Sequence, residues 1–358
     1  MYFNSMNSEV FRENLVEQEK VPEQYPLTIE VFENAENTTK AVATKLLERV
    51  VQTEKELKIG ISHGDTLNQV IDNFVAQIKE KIEKGEKIDL SKVQFVQMEA
   101  LFPESKDSPV NRFAYTLETK LVKPLEQLGQ MVNIYYSGES GKSFEETLAE
   151  YRGLISDLDV DIVSVNTSGD ARAFRDANYN PETGEAKYVL GQREHYDVVV
   201  RPFTHTDYDP QITQLGGKIF SRPTGDVPSR ELFIKLEQAI DKAIAAGDTT
   251  TKKSEYLLTE GIGTYKKAKE VWVVTSGDKK QTAVKRMFKN VKIENMPAEE
   301  RKKRQSAFMT DKEGRCSTAA LIETRRGINT WVVLDSSAVG EYDFDNIQNN
   351  GAHLIEHK

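Results

Sequence analysis

The sequence predicts a three-layer α/β/α protein built on an open, mostly parallel sheet, and three observations support this fold class. Short apolar segments of the kind buried in parallel sheets alternate along the chain with amphipathic helices. Several of these segments end in polar turns, which is where open α/β sheets place their ligands. With 358 residues, the chain is long enough for one large domain or two ordinary ones with a substantial core.

The stretch from Lys58 to Phe74 shows the repeating unit most clearly. Apolar, β-favouring residues precede a polar turn at residues 62–66, and after it apolar residues recur at helical spacing. A strand, a turn containing Gly64 and a helix together point free backbone N–H groups and a helix dipole at an anion. The turn is therefore a candidate phosphate site, with the alternative that Asp65 is only the N-cap of the helix.

The other strands are predicted from short runs of β-branched, aliphatic and aromatic residues. Their bounds are Leu27–Phe32, Lys92–Met98, Val132–Tyr136, Val160–Val165, Glu255–Thr259, Glu270–Thr275 and Thr330–Leu334. The second of these runs is followed by Glu99–Pro103, which the proline predicts to be a turn.

Helices are predicted between the strands wherever apolar residues recur along one face. The predicted segments are Thr38–Val51, the run that ends near Gly85, Val110–Leu128, Ser143–Leu154, Thr282–Phe288 and Ser317–Glu323. Glu146 stands three residues after Ser143, and this pair has the pattern of a capping box at the start of its helix.

The strand–helix alternation breaks between residues 178 and 255, and this break sets the predicted domain organisation. We expect an arm at 1–26, an α/β domain formed by 27–177 and 256–345, and a tail at 346–358. Residues 178–255 form a mixed α+β insertion over the functional edge of the sheet. Its predicted elements are a hairpin-like turn at Asn180–Gly184, a strand at Val198–Phe203 and a helix at Glu231–Ala246.

Composition restricts the partners and the compartment that we expect. The net charge of −9 gives no overall basic surface, so neither nucleic acid nor an anionic membrane is an expected partner. Cys316 is the only cysteine, which favours a reducing compartment, and no apolar run has the length of a signal peptide or a membrane span. We therefore expect a cytoplasmic protein. His195 and His205 have no third ligand at metal-binding spacing, and we predict neither a metal nor a cofactor.

Four turns at strand ends together resemble one family. They contain Gly64-Asp65-Thr66, Met98-Glu99, Gly169-Asp170, and the stretch LLTEGIGTYKKAKEVWVVTSGDKKQTAVK. In order and spacing this is similar to glucosamine-6-phosphate deaminases (isomerases) and 6-phosphogluconolactonases, whose pattern reads roughly TGSTP, MDEY, GxGxDGHIAF and TVGVGT followed by a strand and GxxKA. The resemblance covers about residues 27–176 and 255–342. It implies a deaminase/lactonase type of open sheet and a sugar-phosphate ligand. We also expect a homo-oligomer.

The first turn would hold the phosphate if the resemblance extends to function. Gly64 and Thr66 match the family pattern, so the Thr66 hydroxyl and the amides that follow the glycine would bind phosphate. Asp65 replaces a small hydroxyl residue of the family, and a carboxylate beside a phosphate is repulsive unless a cation lies between them.

The resemblance also implies a cationic phosphate ligand. Lys280 aligns with the lysine of GxxKA. Lys279, one position earlier, is the alternative if the alignment is shifted by one residue. The deaminases use an arginine as well, from the loop before TVGVGT. Its counterpart cannot be placed through the insertion, and Arg193 and Arg230 are the candidates.

Glu99 is the predicted proton carrier. It aligns with the first acid of MDEY, which the resemblance implies to be the base that moves a proton between C1 and C2 of the sugar. Ala100 replaces the second acid of that motif. The structural alternative for Glu99 is a solvated turn residue without chemistry.

The remaining candidates are Asp170, Arg172 and His63. Asp170 matches the acid of DGH, but Ala171 and Arg172 follow it where the family has glycine and the ring-opening histidine. Arginine cannot serve as a base near neutral pH, although it can bind a carboxylate or phosphate bidentately. His63 stands where the family has threonine, and we predict that it lines the pocket and assists Asp170 in ring opening.

Three functions remain open from the sequence. The first is isomerisation or deamination of an amino-hexose 6-phosphate by acid–base proton transfer. The second is hydrolysis of a 6-phosphogluconolactone-type ester, in which one base activates water. The third is a sugar-phosphate sensor or interaction subunit that has lost catalysis, and the replacements at Asp65, Ala100 and Arg172 favour it.

Overall fold

An open sheet of parallel strands forms the centre of the protein. The structure, a computed structural model, describes residues 27–139, 141–164, 178–180, 185–187, 211–214, 238–254, 256–259, 268–288, 322, 329–348 and 351–357. The strands, in chain order, are β1 Thr28–Phe32, β2 Leu57–Ile61, β3 Val93–Gln97, β4 Glu99–Phe102, β5 Asn133–Tyr135, β6 Val160–Ser164, β7 Asn178–Asn180, β8 Glu185–Lys187, β9 Gln211–Gln214, β10 Tyr256–Thr259, β11 Glu270–Thr275, β12 Thr330–Asp335 and β13 His353–Glu356.

Eight of these strands make the main sheet, in the order β13-β1-β12-β11-β6-β2-β3-β5. Every pairing within it is parallel. From the centre the chain winds outward through β2, β3 and β5 on one side and through β6, β11 and β12 on the other. The winding therefore changes direction between β2 and β6, and such a switch point opens a crevice at the carboxyl ends of the strands.

Helices connect the strands and cover the sheet. They are α1 Ala35–Gln52, α2 Asp65–Glu83, α3 at 113–127, α4 Phe144–Ile155, α5 at 238–245, α6 Gln281–Phe288, α7 Ser336–Val339 and α8 Asp345–Gln348. Helix α3 consists of Phe113–Leu117, a π-helical turn Glu118–Val122 and Lys123–Gln127. The capping box predicted for α4 is confirmed, because the Glu146 N–H donates to the Ser143 hydroxyl and the Ser143 N–H donates to the Glu146 carboxylate.

Both faces of the sheet are buried. In β11, Val273 packs into one hydrophobic cluster with α4 and α6, whereas the neighbouring Trp272 packs into a second cluster with α1 and α2. In β12, Val332 and Val333 divide in the same way between the two clusters. Alternate residues of a parallel strand point to opposite faces, so this division confirms the predicted three-layer arrangement.

A second, smaller sheet lies beside the main one and differs from the prediction. Residues Glu99–Phe102 form strand β4 and not a turn, and β4 pairs antiparallel with β10, which pairs antiparallel with β9. The expectation that β10 continues the parallel rhythm is therefore wrong. Burial of Ala100, Leu101 and Leu258 gives the physical reason, because their contacts outweigh the turn preference of the following proline.

The remaining elements extend these sheets or stand beside them. β7 and β8 pair antiparallel on either side of the predicted turn, whose residues 181–184 lie outside the described residues, as does the predicted strand at Val198–Phe203. The edge strand β13 was not predicted, and it pairs with β1 in parallel through N–H bonds from His353 to Leu27 O and from His357 to Val31 O, both 2.8 Å. In the described part of the chain, no helix has the length and apolar character needed to cross a membrane.

Packing of α2 on the sheet can be tested at Phe74. Its side chain is completely buried, and its ring centroid lies 6.3 Å from that of Phe95 in β3. We expect Phe74→Ala to lower the free energy of unfolding by about 3–5 kcal/mol, because truncation leaves a cavity in a closely packed core. Urea denaturation measures this change. The matched control is Gln69→Ala at an exposed position of the same helix, expected to change stability by no more than about 0.5 kcal/mol; equal effects would contradict this packing.

Candidate functional site

The candidate site lies at the switch point, where the loops after β2, β3 and β11 meet. β6 stands between β2 and β11 in the sheet, and its own loop lies outside the described residues. The loops on either side therefore bound the part of the site that the structure describes.

Gly64 joins β2 to α2 and leaves the first turn of that helix open. Its φ of 148° lies in a region that favours glycine, and no side chain caps the helix. Asp65 is the first helical residue and not the N-cap, so the capping alternative for Asp65 is not what the structure shows. The first N–H groups of a helix of this length point their partial positive charge into the crevice.

Thr66 links this turn to the loop after β11. Its side chain is buried, and its hydroxyl lies 3.0 Å from the hydroxyl of Ser276, with which it shares a hydrogen bond. Two hydroxyl groups thus meet beside the N-terminus of α2. Sequence reasoning singled out Thr66 but not Ser276, for which the available signal was its place directly after a buried strand.

Lys280 is brought to the same place by the turn after β11. Both carboxylate oxygens of Asp335, at the end of β12, accept the N–H of Gly277 at 3.1 Å, and the Lys280 N–H donates to Gly277 O at 2.9 Å. This turn leaves Lys279 exposed and Lys280 half-buried. Burial lowers the pKa of Lys280, while the Asp65 carboxylate nearby acts in the opposite direction. Asp65 therefore lies near a cation. A phosphate beside this carboxylate would be repelled without such a cation, as the sequence analysis noted.

His63 and Glu99 lie side by side at the ends of β2 and β3. The His63 N–H donates to Glu99 Oε2 at 3.2 Å, and the imidazole packs edge-on against Phe113 with ring centroids 4.6 Å apart. Burial lowers the pKa of His63 to about 4, the positive charge of Arg112 lowers it as well, and Asp65 opposes this shift. The imidazole is therefore neutral at neutral pH, and the Glu99 carboxylate lies beside its backbone.

Ala100, which replaces the second acid of the family motif, is completely buried. It packs with Leu148 and Leu258 in a small apolar cluster. Its position in the small core leaves Glu99 as the acid that this strand contributes to the site.

Arg112 is the charged residue near the site that sequence reasoning missed. The apolar pattern from Val110 predicted a helix there, whereas the helix begins at Phe113 and Arg112 stands just before it with a φ of 57°. Its charge reaches His63.

Several other residues considered in the sequence analysis lie outside the described residues. Asp170 and Arg172 follow β6 and lie outside the described residues, and the same holds for Arg193, Arg230, His195, His205 and Cys316. Where the structure describes the chain, no group of three or more His, Cys, Asp or Glu residues is arranged to hold a metal ion.

No protein-family model and no curated protein sequence matches this chain. Solved structures do match it. A monomeric glucosamine-6-phosphate deaminase is 12% identical, with a TM-score of 0.50 over 87% of this chain and 98% of that one. A protein described as devB is 12% identical with a TM-score of 0.48 over 88% and 99%, and a 6-phosphogluconolactonase from Leishmania guyanensis is 11% identical with a TM-score of 0.47 over 88% and 98%.

The chain thus has the α/β fold of the glucosamine-6-phosphate deaminase. At 12% identity the likeness is one of fold. The resemblance that the four turns predicted is confirmed at that level, and the activity has to be argued from the site.

The low pKa of His63 predicts how stability depends on pH. Between pH 6.5 and about 4 the unfolded chain binds a proton at this histidine and the folded protein does not. Stability therefore falls as the pH decreases through this window. We expect His63→Gln to lose less stability than the wild type between neutral pH and pH 4.5, measured by chemical denaturation at each pH. The control His353→Gln, at an exposed position, should follow the wild type, and equal slopes in all three proteins would contradict the assignment.

Proposed function

We propose that the protein binds a sugar phosphate at the switch point and carries out acid–base chemistry on its sugar. The observation that supports this most strongly is the convergence of the open N-terminus of α2, the paired hydroxyls of Thr66 and Ser276, and Lys280. These groups come from two loops that are far apart in sequence. Amide N–H groups, hydroxyls and an ammonium are the donors that a phosphate requires.

The phosphate would sit over the first turn of α2. There the amides after Gly64 and the Thr66 hydroxyl would donate to its oxygens, and Lys280 would supply the positive charge. Burial lowers the pKa of Lys280. A phosphate beside the ammonium would act in the opposite direction, because a nearby negative charge favours the charged form of lysine. The Asp65 carboxylate would repel the phosphate, but it also attracts the Lys280 ammonium.

Glu99 would transfer the proton. Its carboxylate accepts the backbone N–H of His63, which fixes one oxygen at the wall of the site. In the isomerase or deaminase reaction this carboxylate would take a proton from one carbon of the open-chain sugar and return it to the next. Asp170, which matches the acid of DGH in the resemblance, would exchange a proton with the ring oxygen, and His63, neutral at neutral pH, would assist it although the family has threonine at that position.

Hydrolysis of a lactone is the second candidate, and the burial of Ala100 favours it. With the second acid of the motif replaced by a core alanine, one carboxylate remains on this strand. A single base that activates water on an ester carbonyl needs no second acid there. A non-catalytic sensor would use the same phosphate site without turnover.

Lys280 provides the test of the phosphate site, with its neighbour as control. We expect a hexose 6-phosphate to raise the melting temperature of the wild type, and Lys280→Met to weaken binding roughly 10- to 100-fold, because a charge-assisted hydrogen bond is lost. Thermal shift against ligand concentration measures this. Lys279→Met removes the same charge from the adjacent exposed position and should leave the affinity within about twofold. Equal effects of the two variants would overturn the phosphate site.

Glu99→Gln separates catalysis from binding. NMR of glucosamine 6-phosphate and of 6-phosphogluconolactone with the protein would show which is converted, and enzymatic lactone conversion has to exceed spontaneous hydrolysis. We expect Glu99→Gln to lower turnover by roughly 10²- to 10⁴-fold while the ligand-induced thermal shift persists, since the amide keeps the shape but cannot accept the proton. Binding without conversion of either compound would identify a sensor.

A further inference from the structure

Arg112 adopts a backbone conformation that an arginine rarely takes. Its φ is 57° and its ψ is −60°, and the N–H of Phe113 donates to the carbonyl of Asn111 at 2.8 Å. This is a γ-turn of the strained, positive-φ kind, in which the side chain crowds the backbone. Of the non-glycine residues that the structure describes, Asn329 is the other with a positive φ, and asparagine tolerates it far better.

The strained turn is held from both ends by buried side chains. Before it, the Asn111 amide accepts the N–H of Lys252 at 2.9 Å and donates to the Lys252 carbonyl at 3.1 Å. After it, the N–H of Ala114 donates to Glu104 Oε2 at 3.2 Å, and Glu104 Oε1 accepts from Gln97 at 2.6 Å. Backbone strain persists where the surrounding structure fixes it in this way, and such positions cluster at functional sites.

The turn places Arg112 at the edge of the candidate site. Phe113, the next residue, packs against the His63 ring at 4.6 Å, and the half-buried guanidinium is close enough for its charge to lower the pKa of His63. Within the described part of the chain, the Arg112 side chain makes no ion pair or hydrogen bond. None of the described residues thus engages its fork of N–H donors, and a guanidinium has the geometry to donate to a bound group.

Lys280 and Arg112, the two cations of the site, lie near different residues. Lys280 is close enough to Asp65, at the N-terminus of α2, for that carboxylate to raise its pKa, and the phosphate is proposed to bind there. Arg112 acts on His63, the residue that meets the proton-transfer group Glu99. A ligand held by its phosphate at Lys280 would bring its other end, where the reaction takes place, towards Arg112.

We propose that Arg112 is a specificity-determining residue that binds an anionic oxygen group at the end of the ligand remote from the phosphate, so that the site prefers a sugar phosphate carrying a carboxylate. This role rests on the proposed sugar-phosphate function. A planar guanidinium pairs bidentately with a carboxylate, which gives the preference its chemical basis.

Two compounds that differ only at the remote end test this preference. 6-Phosphogluconate carries a carboxylate at C1, and glucitol 6-phosphate carries a neutral hydroxymethyl group there. Titration calorimetry of the wild type should show roughly 10- to 100-fold tighter binding of 6-phosphogluconate, because a charge-assisted pair is gained. Arg112→Met should reduce this ratio to within about threefold, and Arg112→Lys should retain part of it.

Arg112→Gly is a second variant that keeps the test valid if Arg112→Met does not fold. Glycine takes a positive φ without strain, so this variant should be at least as stable as Arg112→Met and should still lose the preference for the carboxylate. NMR titration should show a higher pKa of His63 in both variants, since the positive charge is gone while the Asp65 carboxylate remains. The matched control is Arg49→Met, which removes an arginine paired with Glu270 at the opposite end of the sheet and should alter neither the ratio nor the pKa of His63.

The outcomes separate this role from the function on which it rests. If both compounds bind in a manner that depends on Lys280 but the ratio is near one, or is unchanged by Arg112→Met and Arg112→Gly, the role of Arg112 is overturned and the phosphate site stands. If neither compound binds the wild type, the sugar-phosphate function fails and the role of Arg112 fails with it.

Discussion

Burial of the central sheet on both faces is the constraint on which the rest of the structure depends. Helices cover β11 and β12 from both sides, so a ligand meets the backbone only where the strands end. In the described part of the chain, the polar groups of the candidate site accordingly lie in the loops after β2, β3 and β11. Buried residues at the strand ends fix these loops in turn, as Asp335 does when it accepts the Gly277 N–H before the turn that carries Lys280.

The site concentrates opposite charges in a protein that is acidic as a whole. Lys280 lies near Asp65, and Arg112 lies near His63 and hence near Glu99. Burial lowers the pKa of both Lys280 and His63, so the site without a ligand disfavours positive charge. An anion at the proposed phosphate site would oppose this effect at Lys280, because a negative charge favours the protonated ammonium. The strained backbone of Arg112 is consistent with a functional position. A positive φ at an arginine costs conformational stability, and here it positions a charged side chain.

Local patterns explain why most of the fold was predictable. The alternation of buried strands and amphipathic helices lies within short stretches of sequence, and β1, β2, α1, α2 and α4 lie close to their predicted bounds. β4 was missed because its partner β10 lies far away in the chain and a proline follows it directly. The γ-turn at Arg112 was missed for a similar reason, since the bond from Asn111 to the Lys252 carbonyl that holds it spans 141 residues of sequence.

The sequence by itself determined the three-layer class and the strand–turn–helix unit at Gly64, because hydrophobic periodicity and turn residues act over a few neighbours. The candidates Thr66, Lys280 and Glu99 are implied by the family resemblance of the turns. Tertiary structure alone decided that Lys280 and not Lys279 turns inward, that Ser276 meets Thr66, and that Arg112 stands beside His63. These three arrangements depend on how strand ends and loops that are distant in sequence pack against one another. Such packing leaves no local pattern in the sequence.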